Sequence, residues 1–162
     1  MAAVKQEQNL DGIRGWLILF LITLLVSPIR ICLFLYRNFV PLFSDGSFER
    51  LTTPTSDVYH PLWMPLLTFE IVCNCLIIVF GLFVLFYLIR KSKKTPKLAI
   101  AWLILGFIFV VGDYFFADMI PLIAAQPEDP ETIKEVAKST IGAVIWVPYF
   151  LVSKRVKATF TR

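Results

Sequence analysis

The sequence predicts an all-α membrane protein, a four-transmembrane-helix bundle made of two helical hairpins with both termini in the cytoplasm. Three observations lead there. Of 162 residues, 57% are hydrophobic and only 17% charged, whereas a soluble domain carries about 25% charged residues. Four apolar runs, at about 15–35, 62–89, 98–116 and 136–152, approach or exceed the ~20 residues that cross a ~30 Å hydrocarbon layer at ~1.5 Å per residue. Basic residues gather on alternate connections between them, which is how orientation is encoded.

The first run is longer than the ~7 to 15 apolar residues of a signal peptide. It is followed by Arg37 without a small-x-small cleavage site, so it is expected to stay as a span. The connection to the second run holds Phe39, Phe43, Phe48 and Leu51 around a turn at Ser44, Asp45, Gly46 and Ser47. It reads either as a segment lying against headgroups or as a solvated loop. The second run exceeds what a bilayer needs and should tilt or protrude. Before the third, Thr95 and Pro96 read as an N-cap followed by proline in the first turn, and Asp129, Pro130 and Glu131 repeat that grammar before the fourth. The fourth is the most polar, opening with Lys138, Ser139 and Thr140, but 141–152 is free of charge. Pro28 and Pro148 each remove a helical hydrogen bond; Thr23 and Ser27 are placed to satisfy carbonyls freed by Pro28.

The linker 90–97 contains five basic residues and no acid; with Lys5, Arg14, Lys154, Arg155, Lys157 and Arg162 it assigns eleven bases to one side. The other connections hold three, Arg37, Arg50 and Lys134, among a surplus of acids. The net charge of +4 thus arises from sidedness, and the basic linker reads as a topogenic anchor, with no nucleic-acid partner implied. The chain is read as a single four-span domain over 1–162.

Each run carries one ionisable residue: Arg30, Glu70, Asp113 and Lys138. Counted from the linker side, all four lie ~20 to 25 Å along their helices at ~1.5 Å per residue. Each shares a helical stripe with small or polar neighbours, Asn74 lying one turn deeper than Glu70, and such stripes are where membrane helices pack. Two bases and two acids are therefore expected to converge in the outer third of the bundle, either as a structural ion-pair belt or as a polar site for an anionic ligand or a proton relay. After the last span, Val156, Thr159 and Phe160 fall on one helical stripe beside Lys154, Arg155 and Lys157. This tail reads as an amphipathic extension whose Phe160 and bases contact lipid or a partner at the inner face, or as a plain basic stop.

Catalytic motifs are absent: no HExxH, GxSxG, phosphate loop or GxGxxG occurs. Cys73 and Cys75 lie ~200° apart on a helix and the chain has one histidine, His60, so no metal site and no cofactor are expected. Val111, Gly112 and Asp113 only faintly resemble the Gly-Asp pair of intramembrane aspartyl proteases.

Gly12-Ile13-Arg14-Gly15-Trp16-Leu17, Ser27-Pro28-Ile29-Arg30, Tyr59-His60-Pro61-Leu62-Trp63, Asp129-Pro130-Glu131-Thr132 and the ending from Trp146 to Phe160 together resemble the YdgK-like family. These are small bacterial inner-membrane proteins with a domain of unknown function. The likeness covers nearly the whole chain, departing at Arg14, where a small residue is expected. It implies four spans in a bacterial inner (cytoplasmic) membrane and supplies no activity. The expectation for function is a non-enzymatic integral membrane protein that binds lipid or a partner membrane protein. The alternative is a small transporter or proton-coupled exporter, working as a homo-oligomer, that uses Glu70 or Asp113.

Overall fold

The structure is a computed structural model that describes residues 12–127 and 129–161; Lys5, Glu128 and Arg162 of the sidedness argument lie outside the described residues. It contains helices α1 (Trp16–Ser44), α2 (Ser47–Thr52), α3 (Trp63–Ile89), α4 (Thr95–Asp118), α5 (Pro121–Ala124), α6 (Pro130–Val152) and α7 (Lys154–Thr159), and no strand among the described residues. Four of them, α1, α3, α4 and α6, are long and apolar enough to cross a membrane.

α1 is longer than its apolar run. Nothing between Leu35 and Ser44 breaks a helix strongly enough, and Pro28 and Pro41 both sit inside it. Its 29 residues extend about 43 Å at ~1.5 Å each. Thr23 donates to the Leu19 carbonyl at 3.0 Å, so it satisfies its own turn and leaves the Leu24 carbonyl freed by Pro28. The helix ends where Gly46 adopts φ 78°, a left-handed conformation that costs glycine little. Asp45 accepts from the Ser47 amide at 2.9 Å, and hydrogen bonds from Ser47 hold its carboxyl below the usual carboxylate range. Phe39 and Phe43, expected in the connection, thus ride on the last turns of α1, and Phe43 meets Phe48 of α2 with ring centroids 5.0 Å apart.

The other boundaries follow from local chemistry. The Leu62 amide donates to His60 Nδ1 at 3.3 Å and the Trp63 indole to the Val58 carbonyl at 3.2 Å, fixing the entry to α3. Asp129 caps α6 by accepting from the Glu131 amide at 3.1 Å. Thr95 departs from the expected cap: α4 starts with it, and the Ser92 hydroxyl accepts the Lys94 amide just before it, at 3.3 Å. The Thr95 side chain is instead buried, its hydroxyl without a hydrogen-bond partner among the described residues. α6 does not run straight on into the tail. Ser153 turns to ψ 122° and caps α7 by accepting from the Val156 amide at 3.4 Å.

In packing order, α1 lies beside α3, α3 beside α4 and α4 beside α6. Large side chains close the remaining seam, with Phe20 of α1 against Phe150 and Trp146 of α6 at 4.7 and 5.2 Å between centroids. The core is concentrated at the end bearing the basic linker, here the linker end. Leu17, Phe20, Leu24, Val84, Leu88, Ala99, Trp102 and Phe150 form one cluster there. Phe39, Leu66, Leu67 and Ile120, buried toward the opposite or loop end, stand outside it. At the α3–α4 crossing Trp102 donates its indole N–H to the Ile77 carbonyl at 3.1 Å and lies against Gly81. Most large apolar side chains elsewhere point outward, Val79 and Val144 among them, as bilayer-facing surfaces do.

Candidate functional site

The four in-span charges do not form a single belt. On the seam between α1 and α6, Arg30 Nη2 donates to Glu135 Oε1 at 2.7 Å, and Lys138 Nζ reaches the same oxygen at 3.4 Å. The side chains of Arg30, Glu135 and Lys138 are 55%, 47% and 55% exposed, so this is a half-solvated trio on the rim. Glu135 precedes the apolar run at 136–152, so hydropathy alone places it in the outer connection. Helix α6 begins earlier, at Pro130, which puts Glu135 on its second turn, three residues before Lys138. That i, i+3 spacing of acid and base is the signal by which it could have been found.

The two acids stand apart from those bases. Glu70 on α3 and Asp113 on α4 are half-buried at the α3–α4 contact and lie within electrostatic reach of each other. Among the described residues, no Lys or Arg nitrogen comes within 4.0 Å of either carboxyl. Asp113 Oδ1 is buried and has no hydrogen-bond partner among the described residues. Asn74 turns its amide N–H back to the Glu70 backbone carbonyl at 2.9 Å, so it braces the helix at Glu70 and does not neutralise the carboxyl. Phe69 walls the site, its ring 5.8 Å from Phe116 and 6.2 Å from Phe109. Two half-buried carboxyls with no described base within 4.0 Å are the chemical feature here. Two carboxyls in apolar surroundings, in spans where a charge costs up to ~2.5 to 3.5 kcal/mol, form a natural acceptor for a proton or a cation.

The tail corrects a further expectation. Phe160 and Val156 do not face the headgroups: they are 5% and 1% exposed and belong to the core cluster with Leu17 and Phe150. An amphipathic stripe identifies an apolar side but not its neighbour, and here the break at Ser153 folds α7 back onto the protein. Thr159 donates to the Gly12 carbonyl at 3.1 Å, tying the tail to the entry of α1. Lys154 and Lys157 remain exposed at the linker end, while Arg155 is half-buried with one guanidinium nitrogen unpartnered among the described residues.

Among the described residues no group of three or more His, Cys, Asp or Glu side chains could hold a metal ion. Cys73 is buried, whereas Cys32 and Cys75 are exposed on their helices.

Among curated proteins and solved structures nothing matches this chain. One family matches residues 10–161, almost the entire length, and the chain accordingly belongs to the family described as protein of unknown function, DUF2569.

Proposed function

We propose that this membrane protein is a small proton- or cation-coupled carrier, non-enzymatic and acting as a homo-oligomer, in which Glu70 and Asp113 form the coupling site. The observation that carries the reading is that both in-span bases are engaged on Glu135, leaving the acid pair at the α3–α4 contact without a counter-charge among the described residues. A proton or cation settling on the pair removes the penalty of two neighbouring carboxylates in an apolar span, and its departure restores it. Alternation between those states supplies a drive for helix movement. The likeness to the YdgK-like proteins and the eleven bases assigned to one side support a bacterial inner membrane with both termini cytoplasmic.

A second reading, binding to lipid or to a partner membrane protein, draws on the half-exposed Arg30–Glu135–Lys138 trio, whose net positive charge suits an anionic group at the loop end. The two readings differ in which residues matter.

Dicyclohexylcarbodiimide, which modifies protonated carboxyls in apolar surroundings, tests the first. In proteoliposomes of the full chain it should label Glu70 or Asp113, less as pH rises, and not at all in Glu70→Gln/Asp113→Asn. Absence of labelling at both positions at every pH would refute the coupling role.

A further inference from the structure

The lipid-facing side of the α3–α4 hairpin carries an open groove of about 560 Å³ lined by Leu76, Val79, Leu82, Phe83, Phe86 and Leu105. Its lining is almost wholly apolar and outward-facing, with Val79 66% exposed. From Leu76 to Phe86 the groove follows α3 for ten residues, ~15 Å at ~1.5 Å per residue, which is half of a ~30 Å hydrocarbon layer. It therefore spans one leaflet.

At its linker end the groove meets positive charge. The Arg90 guanidinium sits over the Phe86 ring at 4.3 Å from the centroid, and among the described residues it has no carboxylate within 4.0 Å. Stacked on the ring, the guanidinium is held at the mouth of the groove with its N–H fork free to meet a phosphate. Lys93, Lys94 and Lys97 follow in the same acid-free linker.

We infer that this groove is a binding site for an anionic phospholipid of the linker-side leaflet, one acyl chain lying along Leu76 to Phe86 and the headgroup phosphate held by Arg90. Charge complementarity selects the occupant. A zwitterionic lipid offers the same chain without net charge for the linker, and a second copy of this hairpin would bring a second acid-free basic linker against the first. The site is separate from Glu70 and Asp113, so it stands or falls independently of the coupling role.

Native mass spectrometry of the full chain in mild detergent, titrated with phosphatidylglycerol or phosphatidylcholine, tests it. Phosphatidylglycerol should bind more tightly. Arg90→Gln should weaken it about fivefold, the equivalent of the ~1 kcal/mol carried by a basic residue near an anionic surface. Val79→Trp, at an exposed position that leaves the core untouched, should fill the groove and abolish the preference, whereas Lys154→Gln, at the same end but on α7, should leave affinity unchanged. Equal affinity for both lipids, equal losses in Arg90→Gln and Lys154→Gln, or full binding by Val79→Trp would each overturn the assignment. A dimer dispersed by Val79→Trp would give the groove to a second copy instead and overturn it too.

Discussion

Adding one methyl group to the bundle should destabilise it at one glycine and stabilise it at another, because the glycines meet different neighbours. A Cβ built on Gly81 would lie 3.1 Å from Trp102 Nε1 and 3.4 Å from Cε2. The indole has little room to yield: it donates to the Ile77 carbonyl at 3.1 Å and stands edge-on to Phe20 at 6.3 Å. Gly81→Ala must therefore either separate α3 from α4 or rotate the indole off its acceptor. Overpacking costs about 1 to 3 kcal/mol and loss of the hydrogen bond about 0.5 to 1.5 kcal/mol. Against this, alanine gains up to about 1 kcal/mol in helix preference. The net expectation is a loss of up to about 2 kcal/mol. At Gly106 the same Cβ would make an ordinary contact, 3.7 Å from Ile77 Cδ1, and at Gly142 it would meet nothing within 4 Å. Gly106→Ala and Gly142→Ala should accordingly gain about 0.5 to 1 kcal/mol. Unfolding in mixed micelles of a mild detergent and dodecyl sulfate, followed by tryptophan fluorescence, measures all three. The double variant Gly81→Ala/Trp102→Phe should recover part of the loss through coupling between touching residues. Equal stabilities for Gly81→Ala and Gly106→Ala would refute the close-packed crossing.

Two further outcomes are expected. Phe160→Ala should destabilise the folded protein by about 3 to 5 kcal/mol, as truncation of a buried aromatic does, and removal of the chain after Ser153 should do at least as much; near-native stability in the same micelle assay would return the tail to the membrane surface. In a chain with Cys32, Cys73 and Cys75 replaced by alanine, cysteines at Ser47 and Gln126 should react with an impermeant maleimide in intact cells, and one at Ser92 only after lysis, a reversed pattern inverting the topology.

What the sequence made readable was governed by what hydrophobicity measures. An apolar run reports bilayer thickness, so the four spans were legible while the true ends of α1 were not: Arg37 and Asn38 end the apolar run without ending the helix, which continues to Ser44. The same limit hid Glu135, a helical residue outside the apolar run. Equal depth along four helices singles out Arg30, Glu70, Asp113 and Lys138 as residues needing an account. It carries no information on azimuth, and azimuth is what divides them into a rim trio and an acid pair. In the tail, the stripe of Val156, Thr159 and Phe160 was legible and its partner was not, since lipid and a protein core are equally apolar.

The uneven distribution of the core gives the two leaflets different neighbours. At the linker end, interlocked rings and the strap from Thr159 to Gly12 fix the cross-section, so area cannot change there without breaking buried contacts. At the loop end the seam between α1 and α6 is bridged by half-solvated ion pairs on Glu135, and such pairs are worth only about 0 to 1 kcal/mol. The seam between α1 and α6 is thus closed by buried rings at one end and by exposed ion pairs at the other. Lateral tension on the loop-side leaflet should therefore separate α1 from α6 more readily than the same tension on the linker side, where buried ring contacts would have to break.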